Sequence, residues 1–87
     1  MYNLPRYQKK EIRATKNAAE ELWQFKKDLW DVLDALENGY DCARSRREAN
    51  ILEKCIRKED KVFKAVVADL NDYFLLIHFG KFTYKKR

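Results

Sequence analysis

Cations and aromatic rings are the residues of this sequence best suited to bind a ligand, and they concentrate near its two ends. Lysine and arginine attract the phosphates of a nucleic acid, and aromatic rings stack on its bases. Because a turn near the middle of the chain would bring the two ends together, we predict one binding surface made from both. Its residues are Arg6, Lys9, Lys10, Arg13, Tyr73, Lys81, Phe82, Tyr84, Lys85, Lys86 and Arg87.

The net charge of +5 is distributed unevenly along the 87 residues. Residues 1–16 carry five bases against one acid, and residues 80–87 carry four bases and no acid. Between them, residues 17–39 carry six acids against two bases. A competing interpretation is that the terminal lysines only keep the protein in solution, while the aromatic rings hold loose ends onto the core. The charge pattern favours a binding surface but does not identify its ligand.

Groups that could perform catalysis are not arranged for it in the sequence. There is no glycine-rich phosphate loop and no nucleophile elbow. The one histidine, His78, lies in an apolar run without a cysteine or carboxylate at ligand spacing. Asp28, Asp31 and Asp34 follow at three-residue steps, so on a helix they drift round the axis instead of converging. We predict a protein that is not an enzyme and holds no metal or cofactor, with His78 in the core or an interface.

The two cysteines, Cys42 and Cys55, are interpreted as small core residues. On one continuous helix they would lie about 20 Å apart, far beyond the roughly 7 Å at which two Cα atoms can be bridged. We therefore predict reduced cysteines, which fits a reducing cytosol. No stretch approaches the roughly 20 apolar residues of a membrane span, and the N-terminus lacks the apolar core of a signal peptide. The expected protein is soluble and cytoplasmic.

A first helix is predicted over residues 17–38. Its apolar residues recur at alternating steps of four and three, which is the spacing of one helix face. They are Ala18, Leu22, Phe25, Leu29, Val32 and Leu36. Asn17 is the predicted N-cap, and Gly39 is suited to end the helix. Because Trp23 and Trp30 form a second apolar stripe beside the first, this helix is expected to touch two others.

A second helix is predicted over residues 41–79, which contain neither glycine nor proline. At 100° per residue, most apolar side chains of this segment fall within one arc, and that phase is kept over about thirty residues. One long helix is the first choice and a kink at residues 57–61 the second. Glu59 lies within the apolar arc, where it is interpreted as a charge reaching solvent at the edge.

The predicted fold is therefore all-α, a single domain of residues 1–87. It is an antiparallel hairpin of two long helices, with a basic segment at 1–16, a turn at Gly39-Tyr40 and a basic aromatic tail at 80–87.

The apolar run at residues 73–79 would overhang the first helix and needs a cover, which residues 1–10, the C-terminal tail or a second copy of the protein would provide. We expect the hairpin to pack as a dimeric helical bundle. The alternative is an α+β fold in which residues 74–79 and 82–85 pair as a small β-hairpin around Gly80-Lys81.

Two functions fit this sequence. The first is a small non-enzymatic regulatory protein, of the kind that phages or plasmids carry, that binds and modulates or inhibits a protein or nucleoprotein partner and forms a homodimer. The alternative is RNA or DNA binding through the basic aromatic surface, which salt would weaken steeply. No membrane partner is expected.

Overall fold

The computed structural model describes residues 4–42 and 50–83, and this part of the protein is mainly β-sheet. Strands make up 51% of it and helices 26%. In chain order the elements are β1 (Arg6–Tyr7), β2 (Lys10–Ala14), α1 (Lys16–Gln24), α2 (Leu29–Asn38), β3 (Tyr40–Asp41), β4 (Ile51–Lys58), β5 (Lys61–Asp69) and β6 (Tyr73–Thr83). The prediction of an all-α helical hairpin is wrong.

The described strands form one mixed sheet in the order β1-β2-β6-β5-β4-β3, curved into a half-barrel. Every neighbouring pair is antiparallel except β2 and β6, which are parallel. Parallel neighbours need a long connection, and here both helices and three strands lie between them in the chain. Strand β2 from the start of the described chain and β6 from its end therefore lie side by side, but β2 pairs only with the first residues of β6.

The predicted helix over residues 17–38 is two short helices. Thr15, not Asn17, caps α1, and its hydroxyl accepts a hydrogen bond of 3.1 Å from a backbone N–H of the first turn. The chain then turns through Lys26, whose φ is 58°, and Asp28 starts α2 with a capping box. The predicted stop at Gly39 is confirmed. Among the described residues, no helix has the length and apolarity needed to cross a membrane.

The predicted second helix falls on the strands β4, β5 and β6. The connection between β4 and β5 is the pair Glu59-Asp60, and Glu59 has a φ of 59°. The predicted kink therefore coincides with a tight β-turn, and Glu59 lies in that turn instead of an apolar helix face. The alternative β-hairpin is also wrong in its pairing, because β6 runs straight through Gly80 and Lys81 and pairs with β5.

The core lies between the two helices and one face of the sheet. Its buried residues include Ile12, Ala18, Leu22, Val32, Ala35, Leu36, Phe63, Ala65, Val67, Phe74, Leu76 and Phe79. Phe74, Leu76 and Phe79 belong to the apolar run for which residues 1–10, the C-terminal tail or a second copy were the predicted covers. They lie in the core of the same chain, where Tyr7 contacts Phe74 with ring centroids 5.3 Å apart, so this argument for a dimeric bundle no longer holds.

Cys42 and Cys55 form a disulfide, with their Cα atoms 5.5 Å apart. Strand β3 pairs antiparallel with β4, and Tyr40 lies opposite Cys55. Because Cys42 directly follows β3, this strand pairing brings it close to Cys55. The prediction of two separated, reduced cysteines is wrong because it rested on a continuous helix between them.

Candidate nucleic-acid interface

The structure divides the predicted binding surface between the two ends of β6. Tyr73 begins this strand and Lys81 lies near its end. At about 3.3 Å per residue, the two positions are roughly 26 Å apart. The hairpin of β1 and β2 adjoins the Tyr73 end and carries Arg6, Lys9, Lys10 and Arg13. Phe82 lies beside Lys81. Outside the described residues lie Tyr84, Lys85, Lys86 and Arg87.

Acidic neighbours compensate two of the four cations at the Tyr73 end. Lys10 forms an ion pair with Asp69. Arg13 donates to Glu11 at 3.0 Å, while its guanidinium lies 4.5 Å from the ring centroid of Tyr73. Among the described residues, Arg6 and Lys9 form no ion pair. This end is the weaker candidate because two of its cations have carboxylate partners and its ring, Tyr73, is half-buried and already contacts Arg13.

At the other end, two lysines contact aromatic rings. The Nζ atom of Lys81 lies 5.2 Å from the ring centroid of Phe25. The Nζ atom of Lys27 lies 4.7 Å from the ring centroid of Phe63, which is the cross-strand partner of Lys81. Among the described residues, neither ammonium forms an ion pair. Lys81 therefore keeps an uncompensated charge, whereas Lys27 is close enough to the Asp34 carboxylate to contribute to the lowering of its pKa.

A row of phenyl rings holds these two lysines in place. Phe79 packs against Phe25 at 6.2 Å and against Phe63 at 5.7 Å between centroids. Lys81 lies against one end of the row and Lys27 against the other. The negative face of an aromatic ring attracts an ammonium group without neutralising its charge. The helix turn and the strand end thus present two ordered positive charges.

Two further lysines lie at the same end of the sheet. Lys58 forms an ion pair of 2.8 Å with Asp34. The hydrogen bond from Lys58 lowers the pKa of Asp34, so this carboxylate stays ionised and compensates its partner. Lys61 donates to the Thr83 hydroxyl at 3.1 Å and lies 3.9 Å from an oxygen of Asp60. Lys61 adds a loosely compensated charge near Lys81.

His78 is held by a carboxylate from α1. Its Nδ1 lies 2.9 Å from Oε2 of Glu21, whose Oε1 accepts the backbone N–H of Phe79 at 2.9 Å. The ring is thereby oriented, and its Nε2 is left as the atom that can form a hydrogen bond with a ligand. The His78 side chain is 52% exposed, so of its two predicted places, the core and an interface, the core is wrong.

Phe82 presents a ring to solvent on the other face of β6 from Lys81, because successive side chains of a strand point to opposite faces. It is 50% exposed and shares the face of its buried cross-strand partner Val62, whereas Lys81 shares the face of Phe63. A single strand that passes over the end of β6 can place a base on this ring and a phosphate at Lys81. We call the group of Phe25, Lys27, His78, Lys81 and Phe82 the β6 rim.

Only Lys81 and Phe82 of the β6 rim were among the predicted binding residues. Phe25 was interpreted as core, and nothing near Lys27 in the sequence distinguishes it from other surface lysines. Glu21 comes 58 positions before Phe79, so no local spacing indicates the contact it makes with β6. Strand pairing and helix packing bring these groups together, and a periodicity argument does not contain that information.

Within residues 4–42 and 50–83, no three potential metal ligands cluster. That the protein binds no metal stays a prediction. No known family model, curated protein or solved structure matches this chain, so its function is argued from its own residues.

Proposed function

We propose that the protein binds nucleic acid through the β6 rim. The observation that carries the proposal is the placement of Lys27 and Lys81 on phenyl rings, without an ion pair among the described residues. Such cations provide the attraction to phosphates that dominates nucleic-acid affinity. Phe82 adds a stacking surface, and Nε2 of His78 adds a hydrogen-bonding atom.

A single strand is the ligand that fits this group best. Stacking on Phe82 requires a base that is not already enclosed in a duplex. Among the described residues, Phe82 is the exposed ring at this strand end, and it suits an unpaired base better than the regular grooves of a double helix. The proposed ligand is therefore single-stranded RNA or DNA.

The electrostatic part is tested by fluorescence anisotropy with a labelled 20-nucleotide single strand over a range of salt concentrations. Each lost phosphate contact reduces the slope of log affinity against log salt by about 0.7 for a single strand. Lys81→Gln should lower affinity and reduce the slope by about that amount. Lys9→Gln removes the same charge from the opposite end of β6 and should change neither value. Equal effects of the two variants, or binding that salt does not weaken, would contradict the proposal.

The stacking part is tested with Phe82→Ala. Loss of one base stack costs about 1–3 kcal/mol, so binding of the single strand should weaken by roughly 5- to 150-fold. A duplex of the same sequence should be bound weakly by both proteins and show little difference between them. If Phe82→Ala weakens duplex and single strand equally, the ring does not stack on an unpaired base.

The absence of catalysis also stays a prediction, and the same samples test it. We expect the RNA to keep its full length after prolonged incubation with the protein, as judged on a denaturing gel. Shortened products would contradict the prediction. If they appeared, His78→Ala would show whether the imidazole that Glu21 orients takes part.

The cytoplasmic location remains part of the proposal, and the disulfide is the observation against it. Disulfides persist mainly in oxidising compartments. Rapid alkylation in the source cells followed by mass spectrometry distinguishes the two cases. Alkylated Cys42 and Cys55 would support a cytoplasmic protein, and a disulfide-linked peptide would contradict it.

Self-association stays a prediction as well, although burial of the apolar run within the chain removes one argument for it. Sedimentation over a range of concentrations tests it: a dimer mass would support the prediction, and a constant monomer mass would contradict it. A second candidate function, a regulator that binds a protein partner, is favoured by a different feature, the exposed tryptophans of α1 and α2.

A further inference from the structure

Gly80 leaves an open position on one face of β6, between His78 and Phe82. These three residues share a face of the strand, whereas Phe79 and Lys81 point to the opposite face. A Cβ atom at Gly80 would lie 3.3 Å from Nε2 and 3.9 Å from Cε1 of His78. Apart from its chain neighbours, no other described residue would come within 4 Å of that atom. The imidazole of His78 therefore directs its Nε2 edge at an open position.

The backbone of Gly80 gives no reason for a glycine here. Glycine weakens the interior of a strand and is typical of positive φ angles, of bulges and of points where a ligand approaches the backbone closely. Gly80 does not have a positive φ, and the bulge of β6 lies at Ile77, three residues earlier. Of these explanations, the close approach of a ligand is the one that remains.

The Phe82 ring lies at the other end of this open position. Phe82 follows Gly80 by two residues, which is roughly 7 Å along a strand. One planar base can span this separation. A base that lies against the Phe82 ring would thus extend over the Gly80 backbone and bring its edge to Nε2 of His78. A Cβ atom at Gly80 would stand between the base and this nitrogen.

Glu21 determines which bases Nε2 can recognise. Oε2 of Glu21 lies 2.9 Å from Nδ1 of His78. Because an ionised carboxylate only accepts hydrogen bonds, the proton of the neutral imidazole is assigned to Nδ1, and Nε2 carries a lone pair. Adenine and cytosine present an exocyclic amino group where guanine and thymine present a carbonyl oxygen. An amino group donates to Nε2, whereas a carbonyl oxygen is repelled by its lone pair.

We propose that the position over Gly80, bounded by His78 and Phe82 and here called the glycine site, binds a base that carries an exocyclic amino group. This inference rests on the proposed binding of single strands by the β6 rim and adds a base preference to it. His78 is the residue that sets the preference. A phosphate fits the glycine site less well, because the lone pair of Nε2 and the carboxylate of Glu21 both repel an anion.

The preference is tested by fluorescence anisotropy with two labelled 20-nucleotide strands. One contains cytosine throughout, and the other contains pyrimidin-2-one, which lacks only the amino group. The wild-type protein should bind the cytosine strand about two- to tenfold more tightly, as expected for one hydrogen bond. His78→Ala should bring the ratio of the two affinities to about one, and Gly80→Ala should lower it. Ile77→Ala changes the exposed neighbour of His78 and should leave the ratio unchanged.

Nitrogen NMR gives a second measurement that does not depend on any variant. Because His78 is the only histidine of the chain, the spectrum of protein labelled at histidine reports on this imidazole alone. In the free protein we expect the proton on Nδ1 and none on Nε2. The cytosine strand should shift the Nε2 signal, and the strand without the amino group should shift it less.

Three results would overturn the proposal. They are equal binding of the two strands by the wild-type protein, a proton on Nε2 in the free protein, and an equal loss of preference in Ile77→Ala and His78→Ala. Lys81→Gln should weaken both strands by the same factor, because it removes a phosphate contact and not a base contact. If it does so while the wild-type ratio is one, the glycine site fails and the β6 rim stands. If neither strand binds, both proposals fail.

Discussion

Loss of the disulfide between Cys42 and Cys55 should strongly destabilise the protein. The bond closes a loop between residues 13 positions apart. In the chain-entropy model, closing a loop of this size restricts the unfolded chain by about 3 kcal/mol at 25 °C. For a domain of this length, each kcal/mol shifts the melting temperature by about 4–8 °C. Reduction should therefore lower the melting temperature by about 12–24 °C.

The assay is thermal unfolding followed by circular dichroism, with and without a phosphine reductant. The control is the double variant Cys42→Ala and Cys55→Ala, whose melting temperature should be low and unaffected by the reductant. Mass spectrometry of the unreduced wild-type protein should show the loss of two hydrogens that accompanies the bond. A wild-type melting temperature that the reductant leaves unchanged would refute this reasoning, as would a mass that shows both thiols intact.

Three further predictions concern stability. Gly39→Ala should destabilise the protein by about 1–3 kcal/mol in urea unfolding, since its Cβ would lie 2.6 Å from the carbonyl oxygen of Cys55; an unchanged midpoint would contradict this close approach. Phe74→Ala, at a fully buried ring, should cost about 3–5 kcal/mol, whereas Phe82→Ala should change stability by less than about 0.5 kcal/mol; equal losses would contradict the assignment of core and rim. Because the pKa of Asp34 is lowered, its ionised form contributes stability above the unfolded pKa that is lost as pH falls through the folded pKa. The stability difference between wild type and Asp34→Asn should therefore shrink below about pH 4, and a difference independent of pH would contradict the ion pair.

The helical part of the fold was partly predictable because helices are encoded locally. The apolar steps of three and four from Ala18 to Leu36 correctly indicated helix on both sides of the break. Gly39 ends the second helix as predicted, but in an extended conformation, and a Cβ there would meet the carbonyl oxygens of Ala35 and Cys55. The break itself had a signal, since Asp28 and Asp31 have the spacing of a capping box, but the continuous apolar phase outweighed it.

The strands were missed because their burial hides the alternation expected of a strand. β5 buries both of its faces, including the consecutive pairs Val62-Phe63 and Val66-Val67. A continuous apolar run fits a buried strand and a buried helix equally well by periodicity. The Glu59-Asp60 turn has no glycine or asparagine to mark it. The richness of this region in β-branched and aromatic residues is the local signal that favours strands.

In the candidate binding site, too, some features were predictable from the sequence and others depend on tertiary contacts. Composition and charge segregation by themselves predicted a basic aromatic binding surface, including Lys81 and Phe82, and an acidic middle segment bearing Trp23 and Trp30. Only the tertiary structure decided which cations are compensated, because Lys10 meets Asp69 whereas Lys81 meets Phe25. It likewise paired Cys42 with Cys55 and His78 with Glu21. Strand pairing and helix packing join residues far apart in the chain, whereas the helix signals in the sequence extend over only a few residues.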